Sequence, residues 1–213
     1  MIRTAACLLA AAAAVAATPA LAQFGPDGQV GPGESYHIAF ATSFQTRMTT
    51  DRSVPPSGNI FGGIEAASWL TTLAAAQSGL LPDWNGQDIL YRAVLSDSTG
   101  NAVDTTGIQG RVYNTAGQLL ATDAADFFDG QLENPIGFDE FGNAVDPGQP
   151  AFWSGVRPGG SIAFDTCGNW DLTASDLGTN AGTATQTSWI FGPTIECVTN
   201  SARLLGISPA ITA

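Results

Sequence analysis

Two cysteines, a single histidine and one turn crowded with oxygen donors are the residues of this chain that could do chemistry. His37 is the only imidazole in the sequence, and with Cys167 and Cys197 it falls short of the four ligands a structural zinc site needs. Asp139, Glu140, Asn143 and Asp146 surround Gly142 and could supply hard oxygen ligands, for which calcium is the matching ion. Their spacing is not that of an EF-hand, and solvated acids at a turn are the plainer reading, so neither a metal nor another cofactor is expected. Trp84, between Pro82 and Asn85, stands outside any apolar period. Exposed, it would stack on a sugar or a partner; otherwise it anchors its loop against the helix. Trp84 and the four turn residues form the candidate binding surface.

Catalytic signatures are weak. Ser154 sits in Trp-Ser-Gly without the glycine-flanked elbow of a serine hydrolase. Asp126 and Asp165 could be written as a glycosidase pair, but among 19 acidic residues such pairs arise by chance. No catalytic residue is assigned, and a non-catalytic protein is expected.

The elements that must position these residues begin after an export leader. Arg3, the apolar run from Leu8 to Ala17 and the small-x-small triplet Ala20-Leu21-Ala22 read as a signal peptide over residues 1–22, which takes Cys7 with it. A secreted or periplasmic chain matures under oxidising conditions, where Cys167 and Cys197 pair; two free buried thiols are the alternative. The formal net charge is −12, and no lysine occurs. So acidic a chain repels nucleic acid and sulphated glycans through its summed field, so neither is expected as a partner. No membrane span is expected once the leader is removed.

Residues 23–34 carry three Gly-X-Y triplets, too few for a collagen helix, and read as a tether. Tyr36, Ile38 and Phe40 alternate with His37, Ala39 and Ala41 in a strand apolar on both faces, hence central. Residues 47–59, with Pro55-Pro56, read as a loop. From Ile64 the period lengthens: Ala66, Leu70, Leu73 and Gln77, widened by Ala67 and Ala74, predict an amphipathic helix over 64–78 that stops at Gly79. Further strands are expected at 90–95, 110–114, 195–198 and 203–207, and short ones beside Gly142-Asn143. A short helix over 122–128 would be capped by Thr122 and stopped by Gly130. Residues 96–106 and 171–188 read as polar loops, and 209–213 as a tail. One main helix among many short strands gives an α+β class with a twisted, mostly antiparallel sheet and long loops.

The order of these features resembles the endostatin domain, the C-terminal module of collagens XV and XVIII, within the C-type lectin-like fold. Tyr36-His37-Ile38-Ala39-Phe40 is similar to its first strand, residues 63–80 to its main helix, and Tyr91-Arg92-Ala93-Val94-Leu95-Ser96 to its next strand. Val112-Tyr113-Asn114 through Phe127-Phe128-Asp129-Gly130 resembles the run into its short helix, and Phe152-Trp153-Ser154-Gly155 its Trp-x-Gly strand. Cys167-Gly168-Asn169-Trp170 and Ile195-Glu196-Cys197 are similar to the inner disulfide with its nearby tryptophan. The likeness spans residues 35–208, taken as one domain. The family's outer disulfide is missing at both ends, which fits its replacement by packing of Trp69, Leu70 and Thr71 on Leu205 and Gly206. Its zinc histidines, apart from His37, and its heparin-binding arginines are also missing, so zinc and heparin binding are not expected. What the resemblance implies is an exported binding module whose partner is an extracellular protein or glycan. A calcium-dependent lectin is the alternative, and a carboxylate hydrolase a further one.

Overall fold

Alternation in Ser35–Ala41 (β1) buries apolar side chains on both of its faces and places it at the middle of the main sheet. The computed structural model describes residues 30–47, 63–79, 81, 91–146, 152–163, 166–170, 178–182, 185–187, 189–192, 194–197 and 200–213. The leader, most of the tether, the loop over 48–59, Leu90, Trp84, Asp165 and Val198 therefore lie outside the described residues. In chain order, Thr46–Arg47 (β2), Gly63–Ser78 (α1), Arg92–Ala93 (β3), Ala102–Thr105 (α2), Arg111–Asn114 (β4) and Leu119–Ala121 (β5) follow β1. Then come Ala124–Phe127 (α3), Phe152–Trp153 (β6), Gly178–Gly182 (β7), Thr194–Glu196 (β8), Ser201–Ala202 (β9), Leu205–Ile207 (β10) and Ile211–Thr212 (β11).

The main sheet runs β3-β10-β1-β4-β5, with β11 paired to the start of β1. Only β1 and β4 run parallel, and the other pairs in this sheet are antiparallel. The class is α+β with a mixed open sheet and few helices. In the β1–β10 register Phe40 faces Gly206, and a Cβ at Gly206 would stand 2.6 Å from the Phe40 ring, so the ring lies on bare backbone. Tyr36, Ile38 and Phe40 pack with Ala74, Ala75, Tyr91 and Tyr113 on the face that α1 covers. Ala39 and Ala41 face a larger core with Val112, Phe127, Phe128, Phe152, Val156 and Trp189.

The helix has the expected length but a different rotation. Its buried residues are Gly63, Ala67, Ser68, Thr71, Ala74 and Ala75, while Leu70 and Leu73 are half-buried and Gln77 is exposed. Small residues let the helix axis approach the sheet, and their hydroxyls do a second job. The Ala93 amide donates to Ser68 Oγ at 3.1 Å, and Thr71 Oγ1 donates to the Tyr91 carbonyl at 2.8 Å, so α1 satisfies an edge that would otherwise be open. Trp69, expected to pack in place of the missing bridge, is 55% exposed, because the close approach turns it outward.

Other boundaries also differ. Residues 96–106 contain α2, whose first amide, Ala102, donates to Ser96 Oγ. α3 is capped by Asp123 rather than Thr122: the carboxylate accepts from the Asp126 amide, and Thr122 instead donates to Asp126 Oδ2. The Gly142-Asn143 turn is closed by a single bridge between Phe138 and Ala144 instead of flanking strands. Residues 171–188 include β7, which pairs antiparallel with β6 and β8; its Gly-Thr-Asn composition hides a strand made by backbone pairing on both sides. Residues 209–213 include β11, and the Ala213 carbonyl accepts from the Gly33 amide, so both the tail and the end of the tether are tied to the sheet.

Candidate functional site

Cys167 and Cys197 are joined, with Cα atoms 5.7 Å apart. Both are fully buried beside Trp153, Trp170, Leu95, Ile195 and Leu204, with Ile64 and Leu70 of α1 packed on the cluster. The two indoles meet edge to face at 6.4 Å; Trp153 Nε1 donates to Thr46 Oγ1 and Trp170 Nε1 to the Ser96 carbonyl. Gly155 has no room for a side chain, since a Cβ there would lie 2.7 Å from the Trp170 ring.

The backbone above this bridge is unusual. Cys167, Gly168, Asn169 and Trp170 have φ of 51°, 62°, 61° and 62°, a full left-handed turn closed by the Trp170 amide donating to the Thr166 carbonyl. A left-handed conformation costs an L-residue about 1–2 kcal/mol, least for Asn, and three of the four are not glycine. The disulfide and the buried indole hold the turn there, the kind of over-determined strain that clusters at ligand clamps.

Asn169 projects from this turn toward the one after β3. Its Oδ1 accepts the Ser98 amide at 3.0 Å. Asp97 builds that second turn: Oδ1 accepts the amides of Thr99 and Gly100 and the Thr99 hydroxyl, which leaves Ser98 and Thr99 exposed at the rim. The first turn of α1 forms the third wall. Gly63, with φ of 75°, starts the helix, and a Cβ there would lie 3.5 Å from Asp97 Oδ2. Together Gly63, Ile64, Glu65, Asp97, Ser98, Thr99 and Asn169 line a cleft of about 440 Å³, within the range of small-ligand sites. Asp97 is only 6% exposed, yet its Oδ2 has no hydrogen-bond partner among the described residues. Glu65 has none either.

The expected binding surface is arranged differently. Asp139 Oδ1 accepts the amides of Phe141 and Asn143, and its Oδ2 the Asn143 side-chain amide. Glu140, 1% exposed, turns inward, and its two oxygens accept the amide and hydroxyl of Ser43. Asn143 and Asp146 remain exposed. Glu140 thus staples this turn to the segment after β1 while Asp139 closes the turn on itself, and among the described residues no three His, Cys, Asp or Glu side chains gather as a metal site. Trp84 and Asp165 lie outside the described residues. Asp126 instead borders a second depression of about 320 Å³ with Asp129, Gln131, Glu133 and Gln186.

His37 is buried and used at both nitrogens. Nδ1 lies 2.8 Å from the Ser208 carbonyl, and Nε2 accepts the Gln109 amide at 2.9 Å, which fixes the neutral Nδ1–H tautomer. Burial holds its pKa below the ordinary imidazole value. Ser154 Oγ donates to the Ile190 carbonyl. Neither group is poised as a base or nucleophile. The cleft residues escaped sequence reasoning because Asp97, Ser98 and Asn169 resemble ordinary loop polar residues. Glu65 is the one signal at hand, as the only charge on α1, four residues before Trp69.

Comparison with models of known protein families finds no match, and comparison with curated proteins finds none.

Proposed function

We propose that this chain is an exported, non-catalytic binding module of endostatin-like, C-type lectin-like architecture that recognises an extracellular ligand. The disulfide, and the lack of any membrane-spanning helix among the described residues, are consistent with an extracellular or periplasmic location. The order of first strand, long covering helix, edge strand and a disulfide beside a buried tryptophan supports the architectural reading. The cleft between α1 and the left-handed turn supports the functional one: its walls are fixed by a disulfide and by hydrogen bonds, and its lining offers carboxylates, hydroxyls and an amide to a hydrogen-bonding ligand. Walls fixed in this way preorganise a site for a ligand.

The test immobilises the mature, oxidised chain against a panel of polysaccharides and extracellular matrix proteins, with and without EDTA. Parallel assays follow turnover of chromogenic esters and glycosides. Saturable binding that EDTA leaves unchanged, with no turnover, is expected. Hydrolysis above the uncatalysed rate, abolished with the cleft carboxylates, would overturn the reading.

A further inference from the structure

We propose that His37 is an acid-released latch: its Nε2 holds the Gln109 amide at neutral pH, and a proton on that nitrogen frees residues 107–110 from β1. None of these residues lines the cleft, so the inference stands apart from the binding-module reading.

Hydrogen-bond direction makes the latch. Nε2 accepts the Gln109 amide at 2.9 Å, while Nδ1 faces the Ser208 carbonyl at 2.8 Å. A protonated imidazole is a donor at both nitrogens. The Ser208 contact therefore survives protonation, but at Nε2 two N–H groups would face each other. The new N–H needs an acceptor, the Gln109 carbonyl or water, and neither takes the place of the amide unless residue 109 moves.

Packing decides which partner yields. Ser208 is tied to β1 twice more: its amide donates to the Ile38 carbonyl at 2.9 Å, and its Oγ accepts the Ile38 amide at 2.8 Å. His37 itself is paired with Val112 of β4. The ring and Ser208 therefore stay. Gln109 lies between Gly107 and Gly110, whose φ of 65° and 111° suit glycine, and both Gly107 and Gln109 are exposed. Among the described residues, the bond to His37 is the hydrogen bond that the backbone of 107–109 makes. A short segment with a glycine at each end is placed to absorb the change as a hinge. Ile108 between them is 8% exposed in the larger core, so the closed latch hides an apolar side chain.

The surroundings keep the closed ring neutral. Residues 105–110, 112–121 and 204–213 carry no charged side chain. Glu34 and Arg111 act on Tyr113, on the face that α1 covers and opposite to His37, and the C-terminal carboxylate of Ala213 lies by Gly33 and Glu34. Asp104 of α2 is exposed and accepts the Asn101 side-chain amide, and the exposed Arg92 of β3 is separated from β1 by β10. Burial holds the His37 pKa below the ordinary imidazole value, against the pull of the Ser208 and Gln109 backbone. The closed form thus binds the proton less tightly than the open one, whose ring meets water. Closure is at full strength above about pH 6.5 and weakens as the pH falls below it, by up to about tenfold per unit, the response of a single proton.

Amide hydrogen exchange of the mature, disulfide-intact chain tests the latch, read residue by residue by NMR between pH 7.5 and 5.5 and corrected for the intrinsic rates. The Gln109 amide should lose protection below pH 6.5, by up to about tenfold per unit. Its exchange should be indifferent to urea at about 1 M, as in a local opening, whereas amides that exchange by global unfolding speed up with urea. His37→Gln should remove the pH dependence at Gln109, and the wild-type measurements decide the matter if that variant does not fold. Gln109 protection that stays constant from pH 7.5 to 5.5, or that falls only in step with the urea-sensitive core amides, overturns the latch. So does a pH response that survives in His37→Gln.

Discussion

Replacing both Cys167 and Cys197 by alanine should lower the stability of the fold by a calculable amount. The bridge closes a loop with a sequence separation of 30. For that length the loop-entropy relation gives about 3.6 kcal/mol at 25 °C. Two further effects oppose each other. The sulfurs are packed in the same buried cluster as Trp153 and Trp170, and their loss leaves a small cavity. Release of the tie also lets the left-handed residues relax, recovering about 1–2 kcal/mol for each one that does. A net loss of about 2–4 kcal/mol follows, which at a urea m-value near 2 kcal/mol/M moves the midpoint down by about 1–2 M. The m-value should rise, because the uncrosslinked unfolded chain exposes more surface. Urea melts of the wild-type and double-alanine chains read both quantities. A midpoint within about 0.3 M of wild type would refute the claim that the bridge holds a strained turn in place.

Three other outcomes follow from single sites. His37 is kept neutral in the fold by burial, so below its ordinary value near 6.5 the unfolded chain takes up a proton that the folded chain refuses. Stability therefore falls as pH drops from 7.5 to 5.5, and urea melts of His37→Gln should show a smaller fall; parallel slopes would contradict this. Gly206→Ala puts a methyl group where the Phe40 ring sits 2.6 Å away, and should cost about 1–3 kcal/mol by overpacking, read as a lower melting temperature. Glu140→Ala leaves the Ser43 amide without its acceptor and should cost about 1.5–3 kcal/mol, while calcium leaves the wild-type melting temperature unchanged because the neighbouring carboxylates are already engaged.

Periodicity made β1, the extent of α1 and the short strand β4 legible, because each buries apolar groups at a fixed repeat. The disulfide was legible from cysteine number and compartment. The rotation of α1 was not, since its buried stripe is Ala, Ser and Thr, types that hydropathy reads as neutral, while its largest residue, Trp69, faces outward. β7 was hidden for a related reason: backbone pairing with β6 and β8 makes Gly-Thr-Asn a strand. At the acidic turn 139–146 the sequence shows the oxygen donors but not their partners, because local spacing does not say that Glu140 folds back on Ser43, remote in the chain. The cleft depends on three segments far apart in sequence, and no local pattern joins Glu65, Asp97 and Asn169.

Hydrogen exchange of the mature chain, free and saturated with the tightest ligand from the panel of polysaccharides and matrix proteins, tests the site most directly. The amides of residues 63–65, 97–100 and 166–170 should exchange more slowly with ligand bound, while those of 139–146 stay unchanged. Protection confined to 139–146, or spread evenly over the chain with none at the cleft, would contradict a ligand seated beside Asp97.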